Sequence, residues 1–281
     1  NSEVTGHTAN DGRPDGYATG LSTWGNNAGV DLEGGYQILS GGGDIFMAGK
    51  GSNVSGDSNF GIITYGGLTY SGLGRIAMYG KITVGASNWH RGVGLWGTDG
   101  GAQNDIVSAA TSSDAIYIYG DATGCTGGSA VYCNGIESYY TNGVNIAAVG
   151  DGGGVSLVGL IGNGTYTDGS QESDTIELNC TNVLAKSGAI NFTGTRTTAG
   201  GTNYISFNHA RGCTTAIGAT SAITTNYASY PTISIINSSS PITITSDSTY
   251  TSGTTLKSTG DLVIQPSSAS FASAQTWTTG A

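Results

Sequence analysis

Between Asp174 and Phe207 three strand-like segments, Asp174-Thr175-Ile176-Glu177-Leu178, Ala189-Ile190-Asn191-Phe192 and Tyr204-Ile205-Ser206-Phe207, start about 15 residues apart. A helical crossover between parallel strands needs roughly a dozen connecting residues beyond the strands themselves, so no helix fits in these gaps. Similar segments, rich in β-branched and aromatic residues and entered through Gly or Asp, begin at Asp44, Arg75, Asp114, Val144, Thr232 and Asp261. Successive starts lie 31 residues apart from 44 to 75, 39 from 75 to 114, and 30 at each step from 114 through 144 and 174 to 204. Further strands fill the intervals at Gly61–Tyr65, Ile82–Val84, Val93–Trp96, Val155–Val158 and Ile242–Ile244. A repeat of strands and turns of this length is what a solenoid requires, each coil burying its inward side chains against its neighbours. A β-sandwich or propeller with coincident spacing is the competing arrangement.

Composition narrows the class further. Of 281 residues 49 are Gly and 4 Pro, only 10% are charged, and the formal net charge is −10. Nine Lys plus Arg cannot supply the charged outer faces of a helical protein, and abundant Gly weakens helices. The glycines keep no three-residue period, which excludes collagen, and 15 Tyr with 4 Trp exclude a disordered chain. In Thr175–Leu178 and Thr232–Ile235 apolar residues alternate with Thr, Glu and Ser, placing one face of each strand on the core and predicting a hydrated outer face. Most of the Gly excess is then expected at corners, where a positive φ is free of Cβ clash. The expected fold is all-β, a parallel β-helix of about nine coils of roughly 30 residues, forming a rod on the order of 40 Å long at the usual strand spacing. Residues 1–40 read as an irregular or capping segment and 41–281 as the solenoid, Ser/Thr-rich from about residue 214.

The acidic balance and scattered cations disfavour nucleic acid and acidic polysaccharides. No apolar run approaches the roughly 18 residues of a membrane helix. The four cysteines can pair in three ways; the short CTGGSAVYC separation favours Cys125 with Cys133, leaving Cys180 and Cys213. Reduced core cysteines are the alternative, while no CxxC or HxxxH points to a metal, and no cofactor is expected. Two disulfides would agree with secretion. Residues Asn10–Gly16 read as a turn before a Ca²⁺ loop, lacking the EF-hand spacing. Trp89, Trp96, Tyr139 and Tyr140 are candidate aromatic contacts for a glycan, with core or surface packing as the plainer use of the same rings.

The segments Gly42–Gly49, Ser187–Gly194 and Ser258–Ile264 resemble the right-handed parallel β-helix of filamentous-haemagglutinin-like and autotransporter-type bacterial adhesins. That resemblance covers most of residues 41–265 and implies right-handed coils, export to the bacterial cell surface or outer membrane, and a fibre role. It also implies attachment to a host cell, a neighbouring cell or a glycan; the bare C-terminal end adds an expectation of end-to-end self-association. A structural or adhesive surface protein, not an enzyme, is therefore expected. The alternative is a β-helix polysaccharide hydrolase or lyase. For a lyase the cations are too dispersed, and for a hydrolase the repeat-related Asp114 and Asp174 lie two coils apart, roughly 10 Å, while Asp44, Asp114, Asp174 and Asp261 better suit turn-acceptor roles.

Overall fold

The computed structural model describes residues 16–20, 26–52, 58–83, 89–97, 102–125, 132–139, 143–162, 173–197, 204–207, 213–219, 235, 237–251, 254–268 and 270–271. Twenty-two strands and no helix are found among them. In chain order they are β1 (Ala18–Thr19), β2 (Asn26–Leu32), β3 (Gln37–Leu39), β4 (Ile45–Lys50), β5 (Ser58–Tyr65), β6 (Leu68–Tyr70), β7 (Ile76–Lys81) and β8 (Trp89–Trp96). There follow β9 (Asn104–Ser108), β10 (Ile116–Ala122), β11 (Cys133–Tyr139), β12 (Val144–Ala148), β13 (Val155–Ile161), β14 (Ile176–Leu178) and β15 (Thr181–Ala185). The last are β16 (Ile190–Arg196), β17 (Tyr204–Phe207), β18 (Thr215–Gly218), β19 (Ile242–Thr245), β20 (Ser248–Thr251), β21 (Thr254–Leu256) and β22 (Leu262–Gln265).

Every third strand returns to the same sheet. Sheet A runs β1-β4-β7-β10-β13-β16-β19-β22, sheet B runs β2-β5-β8-β11-β14-β17-β20, and sheet C contains β3, β6, β9, β12, β15, β18 and β21, with all pairings parallel. This is an all-β, solenoid-like succession. The sheets already begin within residues 1–40, where β1, β2 and β3 pair with β4, β5 and β6.

The described sheets hold eight, seven and seven strands, where uniform 30-residue spacing predicted nine coils. Paired residues in sheet A are separated by 31 (Ile45, Ile76), 40 (Ile116), 39 (Val155), 35 (Ile190), 52 (Ile242) and 20 (Leu262). The even steps from 114 to 204 run through segments of different sheets: β10 is in A, β12 in C, and β14 and β17 in B. Of the other expected strands, Ile82 instead lies just past β7 in a small cluster with Ala122, Cys125, Cys133 and Ile161. Residues Thr232–Ser234 fall outside the described residues.

The core is built from columns. Ile45, Ile76, Ile116, Val155, Ile190 and Ile242 stack along one column of sheet A, and Met47, Met78, Ile118, Leu157, Phe192 and Ile244 along the next. Sheet B contributes Ile62, Val93, Ile136, Ile176 and Ile205, and sheet C Ile106, Ile146, Val183 and Ile217. Full burial of each aliphatic side chain is worth about 1.5–3 kcal/mol. Phe192 and Phe207 meet edge-on at 5.3 Å, joining sheets A and B through the core.

Glycine has two uses here. Eight described glycines have positive φ and turn the chain at corners, among them Gly41, Gly42 and Gly72 before sheet A. The rest of the pattern differs from the corner reading: Gly49, Gly80, Gly120, Gly159 and Gly194 form one continuous column inside sheet A. They abut Gly61, Gly92, Gly135 and Thr175 of the sheet B segments, so closely that a Cβ on Gly80 or Gly120 would overlap the Gly92 or Gly135 carbonyl. From Gly49 to Gly159 the two sheets touch backbone to backbone, an approach that a Cβ on the sheet A side would block, while Gly194 meets the Thr175 side chain. Serines then tie the corner after sheet C: Ser71 Oγ and Ser108 Oγ donate to the Gly74 carbonyl at 2.6 and 2.8 Å, and Ser238 and Ser240 to that of Ala185 at 2.8 and 2.9 Å.

Candidate functional site

The outward face of sheet B carries a buried charge cluster. In β8 the ladder register skips Gly92; Arg91 before it packs against Trp89 and Trp96, while Val93 and Leu95 after it belong to the core. Glu137 of β11 and Glu177 of β14 are register partners, so the ladder sets two carboxylates side by side. Arg91, Glu137 and Asn179 are fully buried, and Glu177 and Tyr132 nearly so. Outward positions predicted to be wet are therefore dry here.

Arg91 grips Glu137 in a fork, Nε to Oε2 and Nη2 to Oε1 at 3.0 Å, and Trp96 Nε1 donates to the same carboxylate at 3.3 Å. Four rings box the guanidinium: Phe60 at 5.5 Å, Trp89 at 5.0 Å, Trp96 at 5.5 Å and Tyr132 at 4.8 Å. Such a desolvated cation–π enclosure is worth about 2 kcal/mol. Burial is the largest single influence on Arg91 and would lower its pKa, yet the Glu137 charge and hydrogen bond, together with Tyr132 and Glu177, outweigh it and the net direction is upward.

Tyr132 links the two carboxylates. Its hydroxyl lies 2.9 Å from Glu137 Oε1, in close contact with Glu177 Oε2, and 3.0 Å from the donating Asn134 Nδ2. Asn134 Nδ2 and Asn179 Nδ2 also donate to Glu177, at 2.8 and 2.7 Å. A phenol has one proton, so it can satisfy only one of two ionised carboxylates. The second contact calls for a proton on Glu177. Burial first, and then the Glu137 charge, raise the Glu177 pKa to about 7, while burial and both carboxylates hold Tyr132 well above the ordinary phenol range. With Glu177 protonated, one cation faces one anion and the buried cluster is neutral.

Trp89, Trp96 and Tyr139 thus lie on the outward side of sheet B, half-buried, with Trp96 5.6 Å from Tyr139 and Trp89 5.4 Å from Tyr132. The first two serve the Arg91 box. Tyr140 is outside the described residues. Asp114 and Asp174, read as repeat-related, are not in register: Asp114 precedes β10 of sheet A and Asp174 precedes β14 of sheet B. Asp44 accepts a backbone N–H at 2.8 Å, but from Arg75, 31 residues on, and not within its own turn, and Asp114 accepts from Ser156 Oγ at 2.8 Å. The signal that would have found the real pair is the Ile-Glu dipeptide shared by Ile136-Glu137 and Ile176-Glu177.

Both expected disulfides are present, Cys125–Cys133 and Cys180–Cys213, with Cα separations of 6.5 and 5.3 Å. Cys180 turns the chain between β14 and β15 at φ 52°. Of the Asn-x-Ser/Thr sequons, Asn179 is buried and bonded, Asn191 half-buried and Asn237 exposed, while Asn53 and Asn163 fall outside the described residues, as do Asn10–Asp15. Among the described residues no group of three or more His, Cys, Asp or Glu could hold a metal ion, and no helix is long and apolar enough to cross a membrane. Comparison with protein-family models, curated proteins and solved structures finds no match to this chain.

Proposed function

We propose that this chain is a structural or adhesive protein of the extracellular surface, its three sheets forming the walls of a right-handed parallel β-helix that serves as a rigid rod. The observation that carries this reading is the set of in-register core columns running from β4 to β19. Strand-to-parallel-strand crossovers are right-handed in nearly all proteins, which supports the hand. Two disulfides fit an oxidising extracellular or periplasmic compartment, and a bacterial surface or outer-membrane attachment extends that reading. The groups most suited to acid–base chemistry, Glu137, Glu177 and Tyr132, are buried and spent on one another.

One feature favours a second reading as a carbohydrate-active enzyme: two adjacent carboxylates, one with a pKa near neutrality, are the ingredients of glycoside hydrolysis. Electron microscopy of the native material, paired with hydrolysis assays on a glycan panel, separates the two. Filaments or surface fibres without hydrolysis are expected. Discrete particles that cleave a glycan, and lose that activity in Glu177→Gln, would overturn the structural reading.

A further inference from the structure

The outward faces of the three sheets differ in access. On sheet B, Phe60, Arg91, Glu137 and Glu177 are buried, and on sheet C so are Asp105, Asn145 and Leu184. Sheet A is open in part: Ala77, Tyr79, Tyr119 and Ser156 are buried, but Phe46 and Tyr117 toward one end, and Asn191, Thr193 and Thr245 toward the other, are half-buried, and Thr195 is exposed.

Three properties of this wall define what fits it. Charge comes first. On its N-terminal half Lys50, Arg75 and Lys81 stand against Asp44, Asp114 and Asp121, with Lys81 3.0 Å from Asp121 and Arg75 4.0 Å from Asp114. Such a balanced surface attracts neither a polyanion nor a polycation. Next is an aromatic strip in which Phe46 lies 5.3 Å from Tyr79, and Tyr79 lies 5.5 Å from Tyr117 and 6.1 Å from Tyr119. Tyr79 and Tyr119 are buried in this packing and hold the half-buried Phe46 and Tyr117 rigid, leaving apolar ring surface and the Tyr117 hydroxyl at the face; burial holds the Tyr117 phenol above its ordinary range, so it stays a protonated donor. Last is a lattice of hydroxyls and amides, with Asn191 in register with Thr243 and Thr193 with Thr245. The ladder repeats these groups about every 4.8 Å along the rod.

A protein partner fits such a wall poorly, since binding hot spots are poor in Ser and Thr and interface cores pack apolar anchors into pockets. A polyhydroxylated chain fits both halves, its C–H faces on the aromatic strip and its hydroxyls on the Thr/Asn lattice. We propose that the outward face of sheet A binds an uncharged polysaccharide laid along the rod, a role that rests on the adhesive reading above and moves the glycan contact from Trp89, Trp96 and Tyr139 to Phe46, Tyr117, Thr193, Thr195 and Thr245.

The test is co-sedimentation of the full chain with insoluble cellulose, chitin and β-1,3-glucan, with an alginate gel as the anionic control, at low and high salt. Retention on at least one uncharged polymer, unchanged by salt, is expected. Thr195→Arg, an exposed change that leaves the core untouched, and the double Thr193→Ala/Thr245→Ala should each weaken retention about tenfold at unchanged melting temperature. Tyr117→Ala should do the same on the aromatic half. No retention on any uncharged polymer, retention on alginate alone, or wild-type retention by Thr195→Arg together with the double variant overturns the proposal. Filaments seen by microscopy without polysaccharide binding would overturn this wall and leave the rod; binding by discrete particles would overturn the rod and leave the wall.

Discussion

Replacing Glu177 by Gln keeps the shape of the side chain and removes its titration, at the loss of one of the two oxygens that accept from Asn179 and Asn134. In the folded chain burial and the Glu137 charge raise this carboxyl from 4.5 to about 7, even though Tyr132, Asn179 and Asn134 pull the other way. Between those two values the folded state holds a proton that the unfolded chain has released. Stability must then fall as pH rises through that window, and the fall is complete once the folded pKa has been passed. A shift of this size corresponds to something on the order of 3 kcal/mol. Asp31, raised by its own burial and by Glu33, acts in the same sense. Urea midpoints at pH 5, 6, 7 and 8 would measure the effect, with hydrogen exchange at Ile176–Leu178 reporting the strand itself. Wild type should lose most of those 3 kcal/mol between pH 5 and 8, whereas Glu177→Gln should be nearly flat over that range. A wild-type profile that is flat or rising, or a Gln variant with the wild-type slope, would refute the proton assigned to Glu177 and with it the neutral cluster.

Three further outcomes follow from the same geometry. Gly120→Ala drives a Cβ into the Gly135 carbonyl and forces sheets A and B apart, costing about 3 kcal/mol or more in thermal or urea unfolding, while Gly43→Ala, whose Cβ meets nothing nearer than the Ser40 carbonyl at 4.0 Å, should stay within about 0.5 kcal/mol. Arg91→Leu strands the Glu137 carboxylate and should cost about 3–5 kcal/mol, most of it recovered when Glu137→Gln is added, so a double-mutant cycle without that recovery would contradict the pairing. Removing Cys180–Cys213 by Cys180→Ala/Cys213→Ala should cost about 4 kcal/mol, against about 2.5 for Cys125→Ala/Cys133→Ala, because the first closes a 33-residue separation and the second only 8; equal midpoints would count against the chain-entropy account.

Alternation in Ile176-Glu177-Leu178 was legible from sequence because a strand sends successive side chains to opposite faces whatever surrounds it, and the local disulfide was legible because nine residues can close only a short loop. Whether an outward position is wet is a different kind of question. Glu177 alternates as a surface residue does, yet it is dry because Tyr132 and Asn134, brought by the neighbouring β11 segment, join Asn179 of its own segment in filling the space around it. No local pattern contains that information. Coil length was misread for a related reason: strand ladders fix register, but the loops between them can lengthen at a closure cost that grows only logarithmically. Steps from 20 to 52 residues therefore coexist in one sheet.

The repeat is better sought in its tightest contact than in its spacing. Ile45-Phe46-Met47-Ala48-Gly49, Ile76-Ala77-Met78-Tyr79-Gly80, Ile116-Tyr117-Ile118-Tyr119-Gly120, Val155-Ser156-Leu157-Val158-Gly159 and Ile190-Asn191-Phe192-Thr193-Gly194 share one pattern, two inward aliphatic or aromatic residues followed by the seam glycine. Variable loops leave that pattern intact, because a Cβ at its last position has nowhere to go. On the sheet B side Gly61, Gly92 and Gly135 each stand immediately before an inward Ile or Val, and Thr175 takes the same place before Ile176. In sheet A the pattern then continues as Ile242-Thr243-Ile244-Thr245-Ser246, with Ser in the glycine position. The glycine seam thus gives way first at Thr175 and then at Ser246, so the passage from a Gly-rich to a Ser/Thr-rich chain follows a change in how sheets A and B meet, and the core columns of Ile and Phe continue across it unbroken.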